Sequence, residues 1–347
     1  MRAEFYHPGM EDHPYSRLTP DAVLNALESL GLACDGRLLA LNSYENRVYQ
    51  VGLEEALPAS QGAFVVAKFY RPGRWTDAQI AEEHDFAREL AEAEVPVVAP
   101  LAFDGRTLHE ADGFRYAVFP RRGGRAPNLE DAKTLEWLGR FIGRIHAVGR
   151  AQPFAHRPAL DIASFGEEPR AFLLASGFIP AELVQPWKQA ADLAFEGVRH
   201  AYARAGRVEV IRVHGDCHPS NVLWTPEGGN TPGGPHFVDL DDARMAPAVQ
   251  DLWMLVSGDR RSMGRQLGHL LSGYEDFAEF DDRELNLVEA LRTLRLIHYS
   301  AWLARRWDDP AFPLAFPWFN TPRYWQDRVL ELREQIAALQ EPPLVPE

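Results

Sequence analysis

An aspartate and an asparagine five positions apart form the centre of the most informative stretch of this chain. The stretch reads His214-Gly215-Asp216-Cys217-His218-Pro219-Ser220-Asn221, and an apolar run that contains Asp239 follows it. Phosphoryl transfer needs one carboxylate beside the acceptor hydroxyl and separate oxygen ligands for a metal ion. Asp216 can accept the proton of the hydroxyl, and the oxygens of Asn221 and Asp239 can hold magnesium. The pattern therefore predicts phosphoryl transfer from a magnesium nucleotide.

An ordinary turn in front of a buried strand is the alternative interpretation, because Asp, Asn and Pro are all common in turns. The interval from Asp216 to Asn221 nevertheless matches the D-x-x-x-x-N pattern of kinase catalytic loops. The apolar run around Asp239 predicts a strand, whose alternation places Asp239 and Asp241 on one face and Asp242 on the other.

A lysine and a glutamate nearer the amino terminus form a second candidate set. Lys68 is the one cation in residues 64–70, whose apolar and β-branched composition predicts a strand. Glu83 and the adjacent Glu82 lie on a helix predicted from Asp77 onward. A strand lysine that contacts nucleotide phosphates and is held by a helix glutamate is typical of a kinase N-lobe. Either glutamate can be the partner, and an unremarkable edge-strand lysine with a solvated glutamate is the structural alternative.

The loop expected to cover the phosphates contains no glycine. It reads Leu41-Asn42-Ser43-Tyr44-Glu45-Asn46-Arg47 and lies between two predicted strands. Its backbone N–H groups, with the Ser43 hydroxyl or the Asn42 amide, can still bind phosphate. A plain polar turn explains the same residues. The chain has no Walker A sequence, which argues against a P-loop NTPase.

These motifs resemble those of a known superfamily. Residues 214–221 with Phe237-Val238-Asp239 resemble the H-G-D-x-H-x-x-N and I-D motifs of the aminoglycoside phosphotransferases and choline kinases. Along essentially the whole chain, further segments resemble the bacterial stress response kinase A (SrkA/RdoA) family. They are Ser43-Tyr44-Glu45-Asn46-Arg47-Val48-Tyr49, Lys68-Phe69-Tyr70-Arg71-Pro72, Arg74-Trp75, Glu82-Glu83-His84 and Val238-Asp239-Leu240-Asp241-Asp242-Ala243-Arg244.

The resemblance implies ATP- and Mg²⁺-dependent phosphorylation of Ser/Thr in proteins. It implies these roles: Asp216 as proton acceptor, Asp239 as a catalytic residue and magnesium ligand, Asn221 as a magnesium ligand, Ser43 as an ATP contact, Lys68 as the phosphate-binding lysine, and Glu83 as its partner. Asp251 resembles the aspartate that anchors the catalytic loop, although a helix cap would also explain it. Because the core motif also occurs in kinases of aminoglycosides, choline and amino alcohols, a small-molecule phosphotransferase is the alternative function. An ATP-binding signalling module without turnover is a third hypothesis.

The predicted fold is α+β, a two-lobed protein-kinase-like fold. Residues 1–119 form an N-lobe with an antiparallel sheet, which includes a strand near Leu101, and a helix. Residues 120–127, rich in Arg, Gly and Pro, form the hinge. Residues 128–347 form a larger, mainly helical C-lobe that carries the catalytic loop and the metal site.

Composition agrees with an enzyme of this kind. With 347 residues and 46% hydrophobic content the chain can form two lobes, and its net charge of −14 argues against a nucleic-acid partner. Because the chain has no long apolar run that would form a signal peptide or membrane span, we expect a cytoplasmic protein. The expected partners are ATP and protein substrates, and the expected oligomeric state is a monomer. Two cysteines, Cys34 and Cys217, are too few for a disulfide framework. Cys217 is either a small packed residue or an oxidation-sensitive thiol beside Asp216.

Overall fold

The chain forms two compact units in the structure, a computed structural model that describes residues 13–226 and 233–347. The first unit comprises residues up to His84, Ala99–Arg122 and Arg306–Pro317. The second comprises Asp85–Val98, Gly123–Arg305 and Trp318–Glu347. Residues 1–12, where no signal peptide is expected, lie outside the described residues.

The regular elements follow one another in a strand-rich and then a helix-rich half. In chain order they are α1 (Pro20–Glu28), β1 (Cys34–Ala40), β2 (Arg47–Leu53), β3 (Phe64–Phe69), α2 (Asp77–Glu92), β4 (His109–Ala111), β5 (Phe114–Pro120), α3 (Ala132–Gly149), α4 (Glu168–Ser176), α5 (Ala181–Ala205), β6 (Ile211–Val213), β7 (Val222–Thr225), β8 (Gly234–Phe237), β9 (Arg244–Ala246), α6 (Arg260–Tyr274), α7 (Val288–Arg305), α8 (Ala311–Ala315) and α9 (Pro322–Gln340). The predicted α+β class is confirmed.

The sheet of the first unit has the strand order β1-β2-β3-β5-β4, and all its pairings are antiparallel. The strand predicted near Leu101 is wrong. Leu101 donates one hydrogen bond to the Val118 carbonyl (2.7 Å) but remains outside the sheet. Pro100, directly before it, has no N–H to donate, which disfavours a regular strand there.

The central strand β3 separates two apolar layers. Val65, Ala67 and Phe69 face one layer and are almost completely buried, together with Val23 and Leu27 of α1. Because side chains alternate along a strand, Lys68 points to the opposite face.

That opposite face is covered by the first half of α2. Ala117, which is paired with Lys68 across β3 and β5, packs there in one cluster with Tyr70 and with Ile80 of α2. The alternation of β3 therefore directs Lys68 toward the helix that carries Glu83.

In the second unit, short strands flank the polar segments that contain Asp216 and Asp239. β6 pairs with β9, and β7 pairs with β8. Residues 214–221 connect β6 to β7, and Asp239 follows β8. No helix among the described residues is long and apolar enough to cross a membrane.

A segment from late in the chain, Arg306–Pro317, belongs to the first unit, and we call it the anchoring segment. The side chain of its Asp309 is 1% exposed and accepts hydrogen bonds from Arg47 (3.0 Å) and Arg71 (2.9 Å). Burial opposes ionisation of Asp309, but the Ala311 N–H and the two guanidinium groups hold its pKa below its ordinary value. Asp309 is thus an ionised carboxylate in the interior of the first unit.

The same segment also holds the glycine-free loop. Arg306 Nε lies 2.6 Å from Glu45 Oε2, and the rings of Tyr44 and Phe316 meet edge to face at 4.8 Å between centroids. Two loop residues therefore pack directly against the anchoring segment.

Asp309→Asn is expected to lower the free energy of unfolding by about 3 kcal/mol, because removing one partner leaves buried charges uncompensated. The adjacent Asp308 is exposed, so Asp308→Asn is the matched control and is expected to change stability by less than about 0.5 kcal/mol. Urea denaturation of both variants measures the difference. Equal effects would contradict the assignment of Asp309 as a buried anchor.

Candidate functional site

The first set of predicted residues lies on β3 and α2 of the first unit. Lys68 Nζ is 3.6 Å from Glu83 Oε1, and both side chains are less than 10% exposed. Lys68 Nζ also lies 5.1 Å from the centre of the Tyr70 ring. A buried ammonium needs such partners to remain charged, and this pair presents a fixed cation at the sheet surface.

Ser43 is half-buried in the loop between β1 and β2. The loop around it is held by polar contacts as well as by the anchoring segment. Asn46 is 2% exposed, and its side-chain oxygen accepts a hydrogen bond from the Arg71 N–H (3.1 Å). The Glu45 carbonyl accepts one from the Tyr15 hydroxyl (3.1 Å). These contacts fix a loop that has no glycine of its own.

The second set lies on the connection between β6 and β7 in the second unit, which one carboxylate holds in place. Asp251 is completely buried, and its two oxygens accept hydrogen bonds from the backbone N–H groups of His214 (2.7 Å) and Gly215 (2.8 Å). The Gln250 side chain donates to the Gly215 carbonyl (2.9 Å). Asp251 therefore anchors the loop, and the alternative of a simple helix cap does not describe its contacts.

Gly215 can only be glycine at this place. Its φ is +84°, in the left-handed region that other residues rarely adopt. A Cβ there would lie 2.9 Å from the carbonyl carbon of Asp242 and closer still to its oxygen. Residues 215 and 242 therefore lie too close together for a side chain at position 215, directly before Asp216.

Asp216 is partly buried between an arginine and a histidine. Oδ1 lies 2.7 Å from Arg295 Nη1, and Oδ2 lies 3.4 Å from His218 Nε2. Burial would raise the pKa of Asp216, but the His218 contact and the Arg295 charge outweigh it and hold the pKa below its ordinary value. Asp216 is therefore ionised near neutral pH and can accept a proton.

The backbone of the loop orients the side-chain amide of Asn221. Its amide nitrogen donates to the Asp216 carbonyl (3.0 Å), which fixes the orientation of the amide. Its backbone carbonyl accepts a hydrogen bond from the Val238 N–H (3.0 Å), so Asn221 is bonded to the residue directly before Asp239. Oxygens from Asn221 and Asp239 are of the kind that magnesium prefers.

Asp239 does not lie on a strand, and the predicted alternation of the three aspartates is wrong. β8 ends at Phe237, Asp239 has φ +60° and ψ +63°, and a 3₁₀ turn begins at Leu240. Asp241 is buried, whereas Asp239 is exposed. The short polar side chain of aspartate tolerates this left-handed conformation better than most residues do. Such strain is found most often at functional positions.

His214 connects the two parts of the second set. Its Nε2 donates to the Val238 carbonyl (2.9 Å), and its Nδ1 accepts from the Asp216 N–H (3.4 Å). Neighbouring Cys217 is completely buried, and burial together with the nearby carboxylates raises the pKa of its thiol well above the usual value. That environment favours a packed, unreactive thiol.

The sequence prediction missed Arg295 as a partner of Asp216. Arg295 lies on α7, far along the chain, and no spacing pattern connects the two residues. Within the described residues, no group of three or more His, Cys, Asp or Glu side chains could hold a metal ion. One amide and one carboxylate still fit magnesium, because this ion keeps several waters and binds nucleotide phosphates.

Gly215→Ala is expected to lower the free energy of unfolding more than Gly177→Ala does. Gly177 has φ +77° and ψ +3°, and a Cβ there would have no atom within 4 Å, so alanine costs only backbone strain, about 1 kcal/mol. At residue 215 the methyl group also collides with the Asp242 carbonyl, which adds about 2 kcal/mol. Chemical denaturation of the two variants compares them, and equal losses would contradict the close approach.

A buried glutamate, Glu284, contacts the turn that contains Asp251 and predicts that stability depends on pH. Burial raises the pKa of Glu284, which accepts a hydrogen bond from the Val249 N–H (2.8 Å), to about 7. A carboxyl group whose pKa is raised by folding stabilises the folded state. This contribution is fully present below the pKa that the group has in the unfolded chain, and it is lost as pH rises through 7. Glu284→Gln is therefore expected to be more stable than the unmodified chain at pH 8, by about 3 kcal/mol, and similar to it at pH 4.5.

Urea denaturation at the two pH values tests this expectation. Glu275 is exposed, so Glu275→Gln is the control and is expected to show no such difference between the two pH values. A Glu284→Gln effect that is the same at both pH values would contradict the raised pKa.

Comparisons with known proteins identify the family of the chain. The family model of the phosphotransferase enzyme family (APH) matches residues 37–288. Stress response kinase A of Escherichia coli (strain K12) is 46% identical over 330 residues, which cover 95% of this chain and 96% of that protein. The serine/threonine protein kinase RdoA of Salmonella typhimurium (strain LT2) is 44% identical with the same coverage.

Among solved structures, an amicoumacin kinase in complex with AMP-PNP and Ca²⁺ has a TM-score of 0.68 at 18% identity, covering 94% of this chain and 95% of that one. This likeness concerns the fold and agrees with the predicted kinase-like class. The match of the family model and the identity to relatives over nearly the whole length show the family. The chain belongs to the phosphotransferase enzyme family and, within it, to the stress response kinase A family.

Proposed function

We propose that this protein is a serine/threonine protein kinase that transfers the γ-phosphoryl group of ATP to hydroxyl groups of proteins in a stress response. The observation that carries the proposal is the environment of Asp216. Its backbone is anchored through Asp251, and its carboxylate is kept ionised by Arg295 and His218. A fixed, ionised carboxylate is what the acceptor hydroxyl needs for orientation and proton removal.

The other residues would bind the nucleotide and its metal ion. Lys68, oriented by Glu83, would contact the phosphates, and Ser43 would donate to them from its loop. Asn221 and Asp239 would hold Mg²⁺, which when bound neutralises charge that develops on the phosphates. These are the roles that the family resemblance implies, and the type of each group suits its role.

The choice of a protein acceptor is supported by the relatives. Two of them, 44–46% identical over 95% of this chain, are named as a stress response kinase and a serine/threonine protein kinase. A cytoplasmic location and a monomeric state remain predictions from composition.

Incubation with labelled ATP and Mg²⁺ tests the proposal. The acceptors are an acidic and a basic model protein, a set of aminoglycosides and a set of amino alcohols. We expect label on Ser/Thr of a protein, and we expect Asp216→Asn to lower the rate by about 10²-fold or more. The exposed Asp308→Asn keeps the rate and controls for the loss of one negative charge.

Three outcomes would contradict the proposal. Label in small molecules alone would identify a small-molecule phosphotransferase. ATP binding without label in any acceptor would identify a signalling module without turnover. Equal rates for Asp216→Asn and the unmodified chain would remove Asp216 from the mechanism.

A further inference from the structure

A cavity of about 430 Å³ in the second unit lies beside the residues that hold Asp216. Arg295 and His218, which both contact the carboxylate of Asp216, form part of its wall. Its remaining lining residues are Trp253, Met254, Val256, Ser257, Gly258, Met263 and Arg292. The volume is large enough for several side chains, since one water occupies about 30 Å³ in the liquid. A segment bound there would have its neighbouring residue next to Asp216.

All the titratable residues in this lining are basic, although the chain as a whole carries a net charge of −14. Arg292 is fixed at the wall: it pairs with Glu289 (2.9 Å), and its guanidinium lies 5.5 Å from the centre of the Trp253 ring. Arg295 is 36% exposed, so solvent and ligands can reach it. We call this feature the arginine cavity. Each of its two arginines has one carboxylate partner, Glu289 for Arg292 and Asp216 for Arg295.

Arg295 and the acceptor hydroxyl would bind the same carboxylate, whose two oxygens have about four lone-pair sites. Arg295 lies 2.7 Å from Asp216 Oδ1, and His218 lies 3.4 Å from Oδ2. A hydroxyl that binds Asp216 must therefore share or displace one of these contacts. If Arg295 moves away without a new partner, a partly buried charge pair is broken, which is costly.

An anionic group on the acceptor removes that cost. The planar guanidinium has five donors and can hold a carboxylate or phosphate with two hydrogen bonds. Arg295 can thus exchange part of its contact with Asp216 for a contact with the incoming anion. A lysine at the same place would be repelled by Arg292 and Arg295, and a neutral side chain would provide no compensation.

We infer that the arginine cavity binds an anionic side chain, a carboxylate or a phosphate, that lies close in sequence to the Ser or Thr to be phosphorylated. This inference rests on the proposed protein kinase function and names the class of its substrate. The apolar residues Trp253 and Met263 would contact the stem of that side chain. Arg292 would contribute to specificity without touching Asp216.

Serine peptide libraries test the inference. Each library fixes Glu, phosphothreonine, Ala or Lys at one of the three positions before or after the acceptor serine, and kcat/KM is measured with Mg²⁺ and ATP. At one or more positions, Glu or phosphothreonine is expected to raise kcat/KM about tenfold over Ala, and Lys is expected to lower it. The Glu and phosphothreonine arms distinguish a carboxylate from a phosphate.

Variants of Arg292 separate specificity from general damage. Arg292→Gln is expected to reduce the ratio of the anionic to the Ala library to about twofold, and Arg292→Glu to favour Lys. Arg333→Gln, an exposed position on α9, keeps the tenfold ratio and is the matched control. The ratio is informative because a loss of folded protein lowers all the rates together.

The outcomes distinguish this inference from the function on which it rests. Similar kcat/KM for the Glu, Ala and Lys libraries, or an anionic preference that Arg292→Gln leaves unchanged, would overturn the arginine cavity as an anion site while the protein kinase function stands. Absence of label in every peptide, with label in a small molecule, would overturn the protein kinase function and the inference with it.

Discussion

The buried carboxylate of Asp251 accepts hydrogen bonds from two consecutive backbone N–H groups, those of His214 and Gly215. A buried carboxylate without partners would be very costly, and backbone N–H groups in a loop have no regular partners of their own. The carboxylate and the two N–H groups therefore provide each other's hydrogen-bond partners, and the loop that carries Asp216 has one defined path. His146 adds a third contact to the same carboxylate (3.1 Å). The rest of the second set depends on this arrangement.

Both units use buried charges to fix loops that carry polar residues. In the second unit Asp251 holds the backbone, and Arg295 lies on the carboxylate of Asp216. In the first unit Asp309, with Arg47 and Arg71, holds the loop that contains Ser43. Loops of this kind would otherwise be mobile, because few apolar contacts restrain them. Pre-organised polar groups are what phosphoryl transfer requires, since the reaction depends on alignment and charge.

The local sequence pattern predicted the structure correctly where the backbone is regular. The apolar and β-branched composition of residues 64–70 predicted a strand, and the structure has β3 there, with Lys68 on the face opposite Val65 and Phe69. The same reasoning failed at Asp239, because a left-handed residue interrupts the strand two residues after Phe237. Side chains alternate between two faces only along regular extended backbone, and a single residue with positive φ ends this alternation.

The sequence by itself determined the fold class, the family and the identity of Lys68, Glu83, Asp216, Asn221 and Asp239 as candidates, because those residues lie within short motifs whose spacing is read directly. Tertiary structure alone decided which distant residues surround them. The contacts of Arg295 with Asp216 and of Asp309 with Arg47 join parts of the chain with no shared motif. Long-range ion pairs depend on how helices and loops pack, and packing is a property of the whole fold, so neither contact has a local signal in the sequence.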